Sequence, residues 1–484
     1  MKKNTGIFFC AWIVCFFISN GLWAQSDEMP ITAASQKAKN FFLQGREYLE
    51  NVEYNTAILL FNKAIALDPK FAMAYLYRAQ SGGGYEIYMK NLGKAVKLSE
   101  KVTQGERLLI LMTEALANND PVQAKAHIEQ LLQEFPLDKR VQTEAGNYYS
   151  STGEDKEALS YYMRAIEIDS TYAPAYNMLG YCNLNLNNNE NAEKAFKKYI
   201  QLVPNKANPY DSYAEFLLNN GKYDESIAQY QAALEKDPEF SFSLRGLGNN
   251  YIFKSDFEAA RKYYQSYFDQ ATEIDQKFEA LYLKATTYVY EGNTEGAFNV
   301  INEWRKLAET NENTPNIIQS NVTQGYLLAE DGSPSEALER FSKVPDMARN
   351  VKLADADKEI LNARLMIWKV YFLTMNGEYE KASAESVNCN TLIEGKNYSD
   401  VETFYDATMA LLELKKGNYD QAIQLFNEAN TTDPYDLYYW AQAYQKKGDK
   451  EKARQLLDKV IRLNVNNMAL AIVRKRALDE MKQL

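Results

Sequence analysis

The chain has 484 residues, 46% hydrophobic and 25% charged, with 65 acidic against 54 basic side chains and a formal net charge of −11. This is globular composition, which excludes a fibrous or wholly disordered chain, and the acidic balance has the wrong sign for a nucleic-acid backbone. A single histidine removes most routes to a histidine metal site or catalytic triad, and 35 tyrosines need an explanation.

In chain order, Lys2 and Lys3 come first, and an apolar stretch from Gly6 to Ile18 follows. Asn20 and Gly21 break it, and Ala24 precedes Gln25. This pattern predicts a secretory signal peptide over 1–24. The protein is therefore expected to be exported, to the periplasm or cell envelope. Thirteen apolar residues fall short of the ~20 needed to span a bilayer. No stable membrane insertion is expected after cleavage; a retained anchor is the alternative. Cys10 and Cys15 lack the small preceding residues of lipoprotein processing. Cys182 and Cys389 sit in helical patterns and read as buried, reduced hydrophobes. Residues 25–37 form a lead-in.

From residue 38 onward the sequence repeats itself. Ala173–Lys206 aligns with Ala207–Phe240 at an offset of 34: Tyr176 on Tyr210, Gly180 on Ala214, Phe196 on Tyr230, Pro204 on Pro238. The same frame fits Lys139–Tyr172, and Phe41 to Pro69 near the start. Position eight is small, and so is position twenty: Ala57, Ala158, Ala192, Ala260, Ala297, Ala337, Ala382, Ala422 and Ala453. Two helices approach closely there, and an aromatic at position twenty-four fills the gap. Glycine at fifteen closes the first helix (Gly153, Gly221, Gly292, Gly332, Gly377, Gly417, Gly448). Proline at thirty-two ends the second. Much of the tyrosine is therefore repeat core.

This pattern resembles the tetratricopeptide repeat. The resemblance implies an all-α fold, an α-α superhelix of about twelve helix-turn-helix repeats. They begin near residues 38, 72, 105, 139, 173, 207, 241, 278, 318, 363, 403 and 434. Repeat two is degenerate, and Gly82–Gly84 predict a break or loop, because each helix-interior glycine costs about 1 kcal/mol. Spacing divides a regular block (38–274) from a less regular one (275–467), with a bend rather than a linker between them. Val351–Asn362 predicts an extended or extra helix. Residues 468–484 form a capping helix, apolar inward, whose Arg474–Lys475–Arg476 run is expected to be a solvated face.

Catalytic chemistry is hard to find. There is no phosphate loop, nucleophile elbow or dinucleotide glycine pattern. His127, on a second helix, reads as an ordinary packing histidine. The alternating Asp355, Asp357 and Glu359 lack the glycine and closing glutamate of a calcium loop. No catalytic, cofactor-binding or metal residue is assigned, and the chain is not expected to be an enzyme.

The resemblance implies instead a scaffold binding a peptide or protein partner in its concave groove. Positions five and nine of the first helix share one face. In repeats four to seven they give a strip of Thr143, Asn147, Asn177, Tyr181, Asp211, Glu215, Arg245 and Asn249. A carboxylate clamp is absent, since Asp211 and Glu215 would repel a carboxylate. Two alternatives stay open. A solenoid enzyme would need displaced pKa values converging in one pocket, and a carbohydrate-binding protein would need aromatics on the groove.

Overall fold

The computed structural model describes residues 28–484 apart from 350, 352, 354 and 397, so the expected signal peptide lies outside the described residues. Among the described residues twelve antiparallel helix pairs follow one another. The first four are α1 (Gln36–Glu50) with α2 (Tyr54–Leu67), α3 (Ala72–Gln80) with α4 (Gly84–Leu98), α5 (Gln104–Ala117) with α6 (Pro121–Glu134), and α7 (Lys139–Ser151) with α8 (Asp155–Ile168). Next come α9 (Ala173–Asn185) with α10 (Asn189–Leu202), α11 (Asn208–Asn219) with α12 (Tyr223–Lys236), α13 (Ser241–Phe253) with α14 (Phe257–Gln270), and α15 (Ile274–Glu291) with α16 (Thr294–Thr310). In the ninth, α17 (Thr314–Glu330) pairs with α18 (Pro334–Phe341), and the short α19 (Val344–Ala348) is added. The last are α20 (Asp355–Met375) with α21 (Tyr379–Ile393), α22 (Ser399–Lys416) with α23 (Tyr419–Ala429), and α24 (Pro434–Lys447) with α25 (Lys450–Arg462); α26 (Met468–Met481) closes the chain.

The repeat frame accounts for how each pair packs. All nine alanines at position twenty have no exposed surface. A Cβ on Gly180 would come within 2.6 Å of the Phe196 ring, and one on Gly146 within 2.4 Å of Tyr162. The aromatic of the second helix thus fills the space the missing side chain leaves, at interior packing density. Gly417 and Gly448 end α22 and α24 with φ of +88° and +86°, the left-handed cap that glycine adopts without strain. The same turn recurs without glycine at Val52, Asn119, Asn187 and Ser255, with φ between 55° and 63°.

The glycines of repeat two end a helix rather than interrupting one. α3 has 9 residues, and Gly82 and Gly83 turn at positive φ before α4 begins at Gly84. The irregular spacing of the later repeats also has a plain cause. α7, α9, α11 and α13 have 12–13 residues, whereas α15, α17, α20 and α22 have 17–21. These longer helices start four to eight residues before the expected frame. The expected helical stretch before repeat ten is the first turns of α20, and Asp355, Asp357 and Glu359 lie on it.

The coil is tightly wound. The α1–α2 turn touches repeats far along the chain: Glu50 pairs with Arg140 (2.8 Å), Glu53 with Lys206 (2.6 Å), and Tyr54 packs edge-on to Phe242. Tyr85 donates to Asp357 over 3.0 Å, joining repeats two and ten. At the C-terminal end α26 packs on α24, α25 and also α15, burying Met468, Leu470, Ala471, Ile472, Val473 and Ala477.

The basic run on α26 is not a solvated face. Arg476 pairs with the buried carboxylate of Glu330, which also accepts from the hydroxyls of Tyr371 (2.9 Å) and Tyr435 (2.7 Å). Arg474 donates to the Leu463 carbonyl (2.7 Å) and lies over the Phe253 ring. Only Lys475 of the three is exposed. Cys182 and Cys389 are free and buried; burial pushes each thiol up to about 11. Among the described residues no helix is long and apolar enough to cross a membrane.

Candidate partner-binding face

The strip predicted along α7, α9, α11 and α13 is partly spent on the fold's own needs. Thr143 is buried, and its hydroxyl donates to the Lys139 carbonyl (2.8 Å). Asn147 and Asn249 accept from Tyr162 (3.0 Å) and Tyr264 (2.7 Å) of the second helix in the same repeat. Asp211 is buried and accepts from Ser243 (2.7 Å). Burial raises its carboxyl to about 7, with Glu215 adding to the rise and Ser243 opposing it.

The remaining members are half-buried. Tyr181 stands edge-on to Phe196 and donates to Glu215 (2.8 Å) in the next repeat. Arg245 pairs with Glu279 (3.0 Å), also one repeat on. Asn177 alone keeps an oxygen that no neighbour satisfies. The structure thus links two strip members, Tyr181 and Glu215, across one repeat boundary, and buries Thr143 and Asp211.

Two extended segments of the chain lie across these repeats, and the repeat frame gave no sign of either. Residues 29–34 run past the turns that open repeats two to four. The N–H groups of Met29, Thr32 and Ala34 donate to Asp138 (2.7 Å), Glu106 (2.8 Å) and Asp68 (2.7 Å). These carboxylates stand at a spacing close to the repeat, so they meet N–H groups two or three residues apart on a stretched backbone. At the other end, the link between α25 and α26 crosses α11 to α15. Asn464 accepts from the Tyr223 hydroxyl (2.8 Å) and Asn466 donates to that of Tyr264 (2.7 Å). The asparagine-rich stretch 464–467 was the available signal.

A cavity of about 260 Å³ opens in the later repeats between α17, α20, α22 and α24. Tyr326, Trp368, Tyr371, Phe404 and Tyr435 wall it, and Asp433 and Asp436 stand at its edge. Trp368 meets Tyr326, Tyr371 and Phe404 edge-to-face at 5.3–5.4 Å, a favoured aromatic geometry. Asp433 caps α24 through the Tyr435 N–H (2.8 Å), and Asp436 accepts from Thr431 (2.8 Å). Burial raises Asp436 to about 7, and the neighbouring Asp433 carboxylate adds to it. His127 is half-buried on α6, outside both the strip and the cavity lining. Among the described residues no three His, Cys, Asp or Glu side chains are grouped to hold a metal ion.

Family models of the tetratricopeptide repeat match residues 140–172, 161–194 and 437–465. The chain is 26% identical over 337 residues to a TPR repeat-containing protein of Methanocaldococcus jannaschii, covering 66% of this chain and 55% of that protein. It is 25% identical over 243 residues to the mitochondrial import receptor subunit TOM70 of Saccharomyces cerevisiae, covering 48% and 38%. The chain therefore spans about half the length of these curated relatives or less. Among solved structures it is similar to PilW, a type IV pilus biogenesis factor, at 18% identity and a TM-score of 0.36, over 42% of this chain and 92% of that one.

Proposed function

The chain belongs to the tetratricopeptide-repeat superfamily, and from that premise we propose that it is an exported scaffold which holds a protein or peptide partner on the inner face of its coil. The observation that carries the reading is the way the repeats already treat extended chain. Carboxylates at near-repeat spacing accept three backbone N–H groups from residues 29–34, and asparagines of the 464–467 link bond hydroxyls of α12 and α14. A surface that binds its own stretched segments through such bonds suits an extended partner. The partner's contacts are assigned to the half-buried part of the strip, Asn147, Asn177, Tyr181, Glu215, Arg245 and Asn249.

The test is the triple variant Asn177→Ala, Tyr181→Phe and Glu215→Gln, in which no side chain grows. Partner capture from envelope extract and thermal melting are measured together. The expected result is lost capture with an unchanged melt. Full capture with an unchanged melt overturns the assignment of this strip.

A further inference from the structure

The cavity between α17, α20, α22 and α24 combines three properties that the packing of the repeats does not require. Its wall is aromatic, with Tyr326, Trp368, Tyr371, Phe404 and Tyr435. Its edge carries two carboxylates, Asp433 and Asp436, and neither forms an ion pair among the described residues. Asp433 accepts from the backbone N–H groups of Tyr435 and Asp436, and Asp436 accepts from the Thr431 hydroxyl, so only neutral donors meet the two carboxylates. The contrast with Glu330 is direct: that buried carboxylate, one helical turn from Tyr326 on α17, has two tyrosine hydroxyls and Arg476. The indole N–H of Trp368, half-buried at the wall, also lacks a hydrogen-bond partner among the described residues.

Aromatic faces beside uncompensated carboxylates make a receptor for a cation. The ring quadrupole and the carboxylate charge act with the same sign, and both strengthen in a partly desolvated site. A neutral apolar ligand would leave the carboxylates unpaired and desolvate them, which costs free energy. An anion would be repelled by them and by the chain's net charge of −11. A volume of about 260 Å³ holds one long side chain rather than a folded element. The unused indole N–H is a donor and asks for a carbonyl, which a free metal ion or a simple ammonium ion does not carry.

We propose that this cavity receives an arginine or lysine side chain of an extended peptide, with the cation between the aromatic wall and Asp433–Asp436 and a peptide carbonyl accepting from the Trp368 indole. The proposal rests on the scaffold reading and adds the chemistry of the partner: a basic residue, held well away from the strip on α7 to α13.

The test uses the full mature chain and three probes: acetyl-Gly-Arg-Gly-amide, the same peptide with citrulline, and the neutral disaccharide cellobiose. Citrulline keeps arginine's shape and removes its charge. Calorimetry, with tryptophan fluorescence as a second readout, is expected to show saturable arginine-peptide binding, with the citrulline peptide at least about tenfold weaker. The variant Asp433→Asn with Asp436→Asn keeps a residue that caps helices well. It is expected to lose about tenfold in affinity with a melt no lower than that of the parent chain, and Trp368→Phe is expected to lose a few-fold. Equal binding of the arginine and citrulline peptides overturns the proposal. So does no binding at about 5 mM, or arginine-peptide binding that the double variant leaves untouched. Cellobiose binding that Trp368→Phe abolishes would assign the cavity to sugars and overturn it too. Partner capture that survives the double variant while arginine-peptide binding is lost refutes only the link between this cavity and the partner. Capture lost in the strip variant with the peptide still bound separates the two sites.

Discussion

At the scale of single residues, the repeat is written by what is missing as much as by what is present. Gly146 and Gly180 leave the space that Tyr162 and Phe196 enter, and a fully buried alanine faces each such aromatic. These positions were legible because small and large residues recur at a fixed interval, and steric complementarity demands that they do. The left-handed turn between the helices was legible only where glycine marks it. Val52, Asn119, Asn187 and Ser255 make the same turn, so the geometry is set by the pair it joins and not by the residue that occupies it. A non-glycine residue there carries strain of about 1–2 kcal/mol. Ser255 is exposed and its hydroxyl makes no hydrogen bond among the described residues. Ser255→Gly is therefore expected to stabilise the protein by about 0.5–1 kcal/mol, the relief of strain being offset in part by the greater freedom of the unfolded glycine. Chemical denaturation of the two proteins checks this; a loss of stability would mean the turn is not strained. The predicted strip shows the limit of reading single positions. Periodicity placed all eight residues on one side of their helices, but whether a polar side chain meets solvent or an internal partner depends on the neighbouring repeat, and Ser243 and the Lys139 carbonyl claim Asp211 and Thr143.

At the scale of elements, number and order of the helices followed from the sequence because helix pairing is local. What was not legible joins residues far apart. α26 was expected to close the array with a polar outer side, yet its Arg476 reaches the buried Glu330 some 146 positions away. A short basic run has no periodicity that tells a solvated face from an anchor. Glu330 is almost wholly buried, with 4% of its side chain exposed against 37% for Arg476, so removing the arginine strands a carboxylate in the core. Arg476→Ala is expected to cost about 2 kcal/mol, below the 3–5 kcal/mol of fully enclosed pairs because water reaches the arginine. Adding Glu330→Gln should recover most of that loss, since glutamine still accepts from Tyr371 and Tyr435 and carries no charge to desolvate. Equilibrium denaturation of both single variants and the double variant closes the cycle. An additive result would mean that the pair contributes nothing of its own.

At the scale of the whole molecule, the winding of the coil was beyond the sequence, because the rotation between repeats is set by packing angles that no single position encodes. Packing the repeats together also buries carboxyls. Glu144, Asp211 and Asp436 are each raised to about 7 by burial. Their folded values lie above their unfolded ones, so between about pH 4 and pH 7 the folded state binds more protons, and stability falls as pH rises through that window. Asp169 acts oppositely: the Lys139 and Thr171 hydrogen bonds hold it down at about 2, and its contribution is lost as pH falls below about 4. The melting temperature is therefore expected to be higher near pH 5.5 than at pH 8. Asp211→Asn should raise stability at pH 8 by on the order of 2 kcal/mol and have little effect near pH 4. Calorimetric melts across this range decide it, and a higher melt at pH 8 than at pH 5.5 would contradict the assignment. The link between α25 and α26 has a different consequence. Arrays of this kind ordinarily tolerate gain or loss of whole units, because each repeat touches only its neighbours. Here Asn464 and Asn466 reach Tyr223 and Tyr264 across more than two hundred residues, and only one copy number of intervening helix pairs brings them there. The contact works as a ruler: duplicating or deleting a single unit between α14 and α25 would carry the link past its partners, so the number of units between them is held fixed by the fold.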